Sequence, residues 1–136
     1  MNIAVIENNV VSILKIRGKL IEELMAKGHN VTILASGVGQ EMKRAKERGF
    51  TIVDVGTSVK NPWHITLYLF NLYRALRKSK ADICLTFTIR PAIWGNIVTR
   101  YLGIPTVTNI TGIGPLFTSD DIAYRAARYL YRFSLM

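Results

Sequence analysis

Thr86-Phe87-Thr88-Ile89-Arg90-Pro91-Ala92-Ile93-Trp94-Gly95 is the stretch on which the reading of this chain turns. An apolar run ends in alternating threonines, then an arginine and a proline lead into helical spacing. Proline in a first helical turn loses no hydrogen bond, so the pattern predicts a strand, a polar turn and a helix. A second such passage, Ile110-Thr111-Gly112-Ile113-Gly114-Pro115-Leu116-Phe117-Thr118, follows the next apolar run. In open parallel sheets ligands sit just beyond the carboxyl ends of the strands, so both turns are expected at a binding crevice.

The same alternation extends in both directions. Asn2 to Ile6 predicts a short buried parallel strand. Glu7-Asn8-Asn9-Val10-Val11-Ser12 reads as a polar turn, and Arg17 to Lys27 places Leu20, Ile21, Leu24 and Met25 at helical spacing before Gly28. Asn30 to Ala35 and Phe50 to Val55 are further strands. Between them lie a loop at Ser36-Gly37-Val38-Gly39 and a charged helix from Gln40 to Arg48. Asn61-Pro62 opens a long helix to about Lys80, and Asp82 to Phe87 is the fourth strand. Pro91 to Leu102 is a helix closed by Gly103, and Pro105 to Ile110 is the fifth strand. Ser119-Asp120-Asp121 caps a last helix, with carboxylates at the positive end of its dipole.

Strict alternation of strand and helix predicts an α/β, Rossmann-like, doubly wound parallel sheet of about five strands in the order 3-2-1-4-5. The switch point then falls between strands one and four. It gathers the turns after Ile6, Phe87 and Ile110 around one crevice. At 136 residues the chain is one domain by length. Its last residues, Phe133-Ser134-Leu135-Met136, stop inside an apolar helix, and the expectation is a domain cut from something longer.

Charge is the unusual bulk property: 18 Lys and Arg stand against 9 Asp and Glu, a formal net of +9. Such an excess favours polyanionic partners. The cations fall on helices, in Lys43-Arg44-Lys46-Arg48, Arg74-Arg77-Lys78-Lys80 and Arg125-Arg128-Arg132. Trp63, Tyr68, Phe70 and Tyr73 share the second helix. Either these are solvated faces with core rings, or they form an interface with anionic lipid. The lone Cys84 has no disulfide partner. Glu7, Asn8 and Asn9 interrupt the first apolar run too early for a signal peptide, and charges break every hydrophobic stretch short of the ~20 residues of a span.

Several chemistries lack their motif. No G-x-G-x-x-G follows the first strand, which argues against a bound NAD or FAD. There is no Walker lysine motif, no glycine pair around Ser12 to make a nucleophile elbow, and no zinc ligand set in two histidines and one cysteine. Carboxylates belong mostly to surface helices; Glu7, at the end of the first strand, is the exception. What remains is polar binding capacity. Thr86 and Thr88 alternate, so they share a face and could hydrogen-bond a hydroxylated ligand. Arg90, before a helix N-terminus, suits phosphate or carboxylate. Thr111-Gly112-Ile113-Gly114 can turn backbone N–H groups toward one anion. Each has a plain structural alternative, but their convergence at one crevice points to ligand binding.

Lys15-Ile16-Arg17-Gly18-Lys19-Leu20-Ile21, continued by Leu24, Gly28-His29, Val31 and Leu34, resembles the opening of family 4 glycosyltransferases. There an apolar or aromatic residue, Arg and Gly open the helix, and Gly-His-x-Val leads the second strand. Asn61-Pro62, Asp82-Ile83, Thr88 to Pro91 with Gly95, and Ile110 to Gly114 before Phe117-Thr118 are similar to one subgroup. Its members build bacterial capsule, O-antigen and lipid-linked oligosaccharide chains.

The resemblance implies a GT-B architecture, two Rossmann-like domains facing across a cleft, with residues 1–136 as the N-terminal, acceptor-binding half. It implies a retaining, hexosyltransferase-type enzyme that moves a sugar from a nucleotide-sugar to a membrane-linked saccharide acceptor. The setting it implies is cytoplasmic, at the inner face of the cell membrane, on an anionic surface. The nucleotide-sugar is a substrate, so neither cofactor nor metal is expected. Most donor contacts belong to a C-terminal domain, in cis or in trans, and this stretch alone is expected to be inactive. Asn8, Asn9, Ser12, Thr88, Arg90, Thr111, Gly112 and Gly114 are expected to line the acceptor side, and no catalytic residue is assigned. Asn8 and Asn9 stand where many relatives have glycines; Thr88 and Thr111 lie near where many have histidine. Two rival readings stand beside this one. One is a non-catalytic, membrane-recruiting subunit of a split glycosyltransferase. The other, a nucleic-acid-binding module, rests on charge alone, with no recognised motif.

Overall fold

The structure is a computed structural model and describes residues 1–37, 39–56 and 62–109. The strands β1 (Asn2–Asn9), β2 (Asn30–Ser36), β3 (Thr51–Asp54), β4 (Ile83–Phe87) and β5 (Thr106–Asn109) form one parallel sheet in the order β3-β2-β1-β4-β5. Class and strand order are those expected from the alternation. The helical elements are α1 (Val10–Ser12), a π-helical stretch at Ile13–Arg17, α2 (Gly18–Ala26), α3 (Gln40–Glu47), α4 (Pro62–Ser79) and α5 (Ile89–Leu102).

Alternation along β1 serves two cores. Ile3 and Val5 pack with Val10, Ile13, Ile21 and Ala45 on one face of the sheet. Ala4 and Ile6 pack with Tyr68, Leu72, Leu76 and Val98 on the other. Helices α1 to α3 therefore cover one face, and α4 with α5 the other. A strand buried on both faces has no polar position to offer, which is why Ile3 to Ile6 reads as an unbroken apolar run. The helix α5 approaches the sheet closely because residue 95 is glycine. A Cβ there would stand 2.9 Å from Ile6 Cδ1 and 3.2 Å from Thr86 Cγ2. At its other end Gly103, at φ 72°, donates to the Arg100 carbonyl (3.2 Å), and Ile104 N–H donates to that of Thr99 (2.8 Å). This paired closure is the Schellman motif.

One local expectation is overturned. Glu7 to Ser12 is not a turn, because β1 continues to Asn9 and the helix starts at Val10 rather than at Arg17. Asn9 sets the early start: its Oδ1 accepts from Ser12 N–H at 2.8 Å, the N-cap bond. Val10 and Ile13 are already buried, but the π-helical stretch shifts the apolar period and hides them from a 3.6-residue reading. Thr111, Gly112, Gly114 and the last helix expected after Ser119 lie outside the described residues.

Candidate binding crevice at the sheet switch point

Neighbouring strands β1 and β4 carry Ile6 opposite Thr86. The chain leaves β1 toward α1 on one face and leaves β4 toward α5 on the other, so a crevice opens between the two turns. Asn8 and Thr88 each stand two residues beyond the Ile6–Thr86 pair, one on each lip. Asn9 and Ser12 continue the first lip, and Arg90, exposed in the first turn of α5, continues the second. The fold thus brings the described members of the expected set, Asn8, Asn9, Ser12, Thr88 and Arg90, to one edge of the sheet.

These residues differ in what they have left to offer. The backbone of Asn8 is tied down, its N–H donating to Glu7 Oε1 (2.9 Å) and its carbonyl accepting from Ser36 Oγ (3.0 Å). The side chain of Asn9 uses its oxygen on the helix cap, so its capacity for a ligand rests in the amide nitrogen. Thr88 is the most unusual. It holds φ 67° and ψ 168°, a conformation that β-branched residues avoid. Its Oγ1 is buried and meets no hydrogen-bond partner among the described residues. As the N-cap of α5 it makes no side-chain bond to the first turn, whose amides lack that usual acceptor.

The floor of the crevice holds Glu7, the carboxylate that ends the first apolar run. Glu7 is 1% exposed, and its Oε2 accepts from Arg17 Nε at 3.4 Å. The Arg17 guanidinium lies 4.3 Å from the centre of the Phe87 ring. One side chain from the π-helical stretch therefore ties the end of β1 to the end of β4. Removing one partner of a buried ion pair typically costs about 3–5 kcal/mol, so this contact anchors the crevice floor. Burial first, and the charges of Glu7 and Cys84 after it, push the Tyr68 phenol above its ordinary range. The signal in the sequence was an acid ending an apolar strand. Only a helix that starts at Val10 brings Arg17 within its reach.

Thr86 does not reach the crevice. It is fully buried on the α5 side, donating to Asn96 Oδ1 (3.3 Å) and lying 3.2 Å from Thr108 Oγ1, to which Asn96 Nδ2 donates (2.8 Å). The expected pairing of Thr86 with Thr88 on one ligand-facing side fails because the strand stops at Phe87 and the positive φ of Thr88 turns the chain. An open groove of 610 Å³ between β3 and α4, bordered by Asp54, Tyr73, Arg74 and Arg77 among others, involves none of the expected site residues. Among the described residues no cluster of His, Cys, Asp and Glu could hold a metal ion, and no helix is long and apolar enough to cross a membrane.

The fold has counterparts among solved structures. MurG from Acinetobacter baumannii superposes with a TM-score of 0.63 at 21% identity, over 81% of this chain and 34% of that one. The glycosyltransferase SnogD from Streptomyces nogalater gives 0.65 at 19%, over 98% of this chain and 38% of its own. The UDP-GlcNAc 2-epimerase from Neisseria meningitidis, bound to UDP-GlcNAc, gives 0.69 at 13%, over 98% and 39%. The chain thus spans about a third of the length of the solved proteins it matches. No curated protein matches its sequence. Transferases and an epimerase share this sheet, so the likeness establishes the Rossmann-like half of a GT-B fold and leaves the activity open. The family profile is more specific, matching residues 18–135, from the glycine after Arg17 almost to the last residue: the chain belongs to Glycosyltransferase Family 4.

Proposed function

We propose that the crevice between β1 and β4 is the acceptor side of a retaining glycosyl-transfer site. It serves a membrane-linked saccharide in cell-surface polysaccharide synthesis, at the cytoplasmic face of the membrane. The observation that carries this reading is Thr88, strained, with a buried unsatisfied hydroxyl, on the lip of the switch-point crevice. Strain of this kind persists where surrounding structure enforces it, and it clusters at ligand sites.

The chemistry of the lips suits a hydroxyl-rich acceptor. Asn8, Asn9, Ser12 and Thr88 supply amide and hydroxyl groups, and Arg90 supplies a cation for an acceptor phosphate. Thr111, Gly112 and Gly114 belong to the same acceptor set in this reading. The nucleotide-sugar is the second substrate, held mainly by a C-terminal GT-B domain in cis or in trans, with no cofactor or metal. The epimerase of like fold, bound to UDP-GlcNAc, supports a nucleotide-sugar as the partner. The contribution of this half is positional: it holds one acceptor hydroxyl in line with the sugar carbon under attack, and orientation of that kind removes much of an activation barrier.

The test is Arg90→Ala in the enzyme with its donor-binding domain present, assayed on a lipid-linked acceptor dispersed in detergent. The acceptor KM should rise about tenfold, the weight of one charge-assisted contact, with the donor KM unchanged. Unaltered acceptor kinetics would remove Arg90 from the site.

A further inference from the structure

Arg17 has more donors than its partners use. A guanidinium carries five N–H groups. Its Nε donates to Glu7 Oε2 at 3.4 Å, long beside the usual charge-assisted contact of about 2.7–2.9 Å. The N–H groups on Nη1 and Nη2 meet no acceptor among the described residues. Phe87 offers a ring face at 4.3 Å and no acceptor atom, so it seats the guanidinium without using those donors. The side chain is 14% exposed, and donors with so little access to water need an acceptor.

Glu7 does not meet that need. Its Oε1 accepts from Asn8 N–H at 2.9 Å and its Oε2 faces Nε, so it orients one edge of the guanidinium and leaves the Nη edge uncommitted. Nor does another carboxylate compete. Glu7 is the only Asp or Glu from Asn2 to Ile21, and Ile83 to Asn109, which spans β4, α5 and β5, has none. Glu22 is taken by Arg48. Asp54 stands two strands away on β3, with its Oδ1 accepting from Gly56 N–H at 3.0 Å. Next to Phe87 in the chain, Thr88 buries a hydroxyl that also lacks a partner among the described residues. The ends of β1 and β4 thus hold unused polar capacity on both sides of the switch point.

We infer that the Nη edge of Arg17 binds a substrate phosphate at the crevice floor, with Glu7 and Phe87 holding the guanidinium ready for it. A guanidinium fixed along one edge presents a planar fork that matches two phosphate oxygens, and the ordering of its long side chain is complete before the ligand arrives. Within the transfer site proposed above, on which the identity of the substrate depends, two molecules bring this chemistry. One is the nucleotide-sugar, and the other is an acceptor linked to its lipid through a diphosphate.

Inorganic pyrophosphate, titrated into the full chain by calorimetry at fixed ionic strength, tests the group without sugar or lipid. Arg17→Lys keeps the charge but loses the fork, and should weaken binding about tenfold. Phe87→Leu keeps every charge and loosens the seat, for a loss of about threefold. Glu7→Gln removes the one carboxylate beside the bound anion and should tighten binding by about threefold or more. Circular dichroism reports which variants fold, and any one of them that folds decides the matter. A pair that only braces the fold would lower the urea midpoint in all three variants and leave the pyrophosphate affinity of the folded protein unchanged, which would overturn the proposal. Kinetics with the donor-binding domain present then identify the carrier. Arg17→Lys should raise the KM of the nucleotide-sugar or that of the lipid-linked acceptor, and a rise in neither would also overturn it. Pyrophosphate that binds through Arg17 while Arg90→Ala leaves acceptor kinetics unaltered would keep this site and remove Arg90 from the other lip. Pyrophosphate that ignores Arg17 while Arg90→Ala raises the acceptor KM would do the reverse.

Discussion

Arg48 occupies the space that a side chain on residue 18 would fill. A Cβ on Gly18 would stand 2.5 Å from Arg48 Nη2. From that place the guanidinium donates through Nε and Nη2 to Glu22 Oε1 (2.9 and 2.6 Å) and through Nη1 to the Leu14 carbonyl (3.2 Å). It also lies 4.9 Å from the centre of the Phe50 ring. Leu14 belongs to the π-helical stretch. The Arg17-Gly18 pair thus serves two ends: Arg17 turns toward Glu7 at the crevice floor, and Gly18 makes room for Arg48.

Gly18→Ala sets two effects against each other. Alanine gains about 1 kcal/mol of helix propensity over glycine. It also displaces a partly exposed Arg48 from contacts worth about the same. In the unaltered background the net change should be near zero; in an Arg48→Ala background Gly18→Ala should stabilise by about 1 kcal/mol. Urea unfolding of the four proteins of this cycle measures the difference. Simple additivity would mean that the two residues do not compete for space.

Gly95→Ala should behave differently, because the neighbours are core atoms rather than the tip of a long side chain. The new methyl meets Ile6 Cδ1 at 2.9 Å and Thr86 Cγ2 at 3.2 Å. Overpacking of this sort costs about 1–3 kcal/mol, more than the propensity gained. Ile6→Val removes the atom in the way, so the double variant should recover part of the lost Tm. If Ile6→Val only adds its own destabilisation, the clash lies elsewhere.

Much of this arrangement was legible in the sequence, for a physical reason. Buried parallel strands must be apolar on both faces, so Ile3 to Ile6 and Ile83 to Leu85 announce themselves, and the connections then leave one strand order. The crevice follows from that order alone. The details at its rim did not follow, because they depend on single backbone angles. The first helix starts at Val10 under the Asn9 cap rather than at Arg17, and the π-helical stretch that follows hides its period. The positive φ of Thr88 ended the alternation that seemed to pair it with Thr86. The Glu7–Arg17 contact needs both the longer strand and the earlier helix, so no spacing rule would have found it.

Alkaline conditions should destabilise the fold through its buried thiol. Burial pushes Cys84 from 9.0 up to about 12. Between those values the unfolded chain has lost a proton that the folded chain keeps, so stability falls as pH rises through this window. One such group contributes a slope of about 1.4 kcal/mol per pH unit. Tyr68, also raised from its ordinary 10.0 by burial above all, steepens the fall at the upper end. Cys84→Ala should flatten the slope by about the share of one group, measured by urea unfolding at several pH values. An unchanged slope would show that the thiol ionises equally in both states.

Thr88→Gly should raise stability and lower function together. Glycine adopts φ 67° and ψ 168° without the clash of a Cβ, and it also removes a hydroxyl that lacks a partner among the described residues. Relief of such strain is worth about 1–3 kcal/mol. The greater freedom of glycine in the unfolded chain offsets up to about 1 kcal/mol of that. The net expectation is a gain of about 1 kcal/mol. If the hydroxyl is held in this conformation to meet an acceptor oxygen, the acceptor KM of the enzyme with its donor-binding domain should rise about tenfold, one hydrogen bond's worth. Thr88→Ser keeps the hydroxyl and should keep the KM. A variant that gains stability while its acceptor KM stays put would make Thr88 a strained turn and nothing more, and would take away the observation on which the crevice assignment rests.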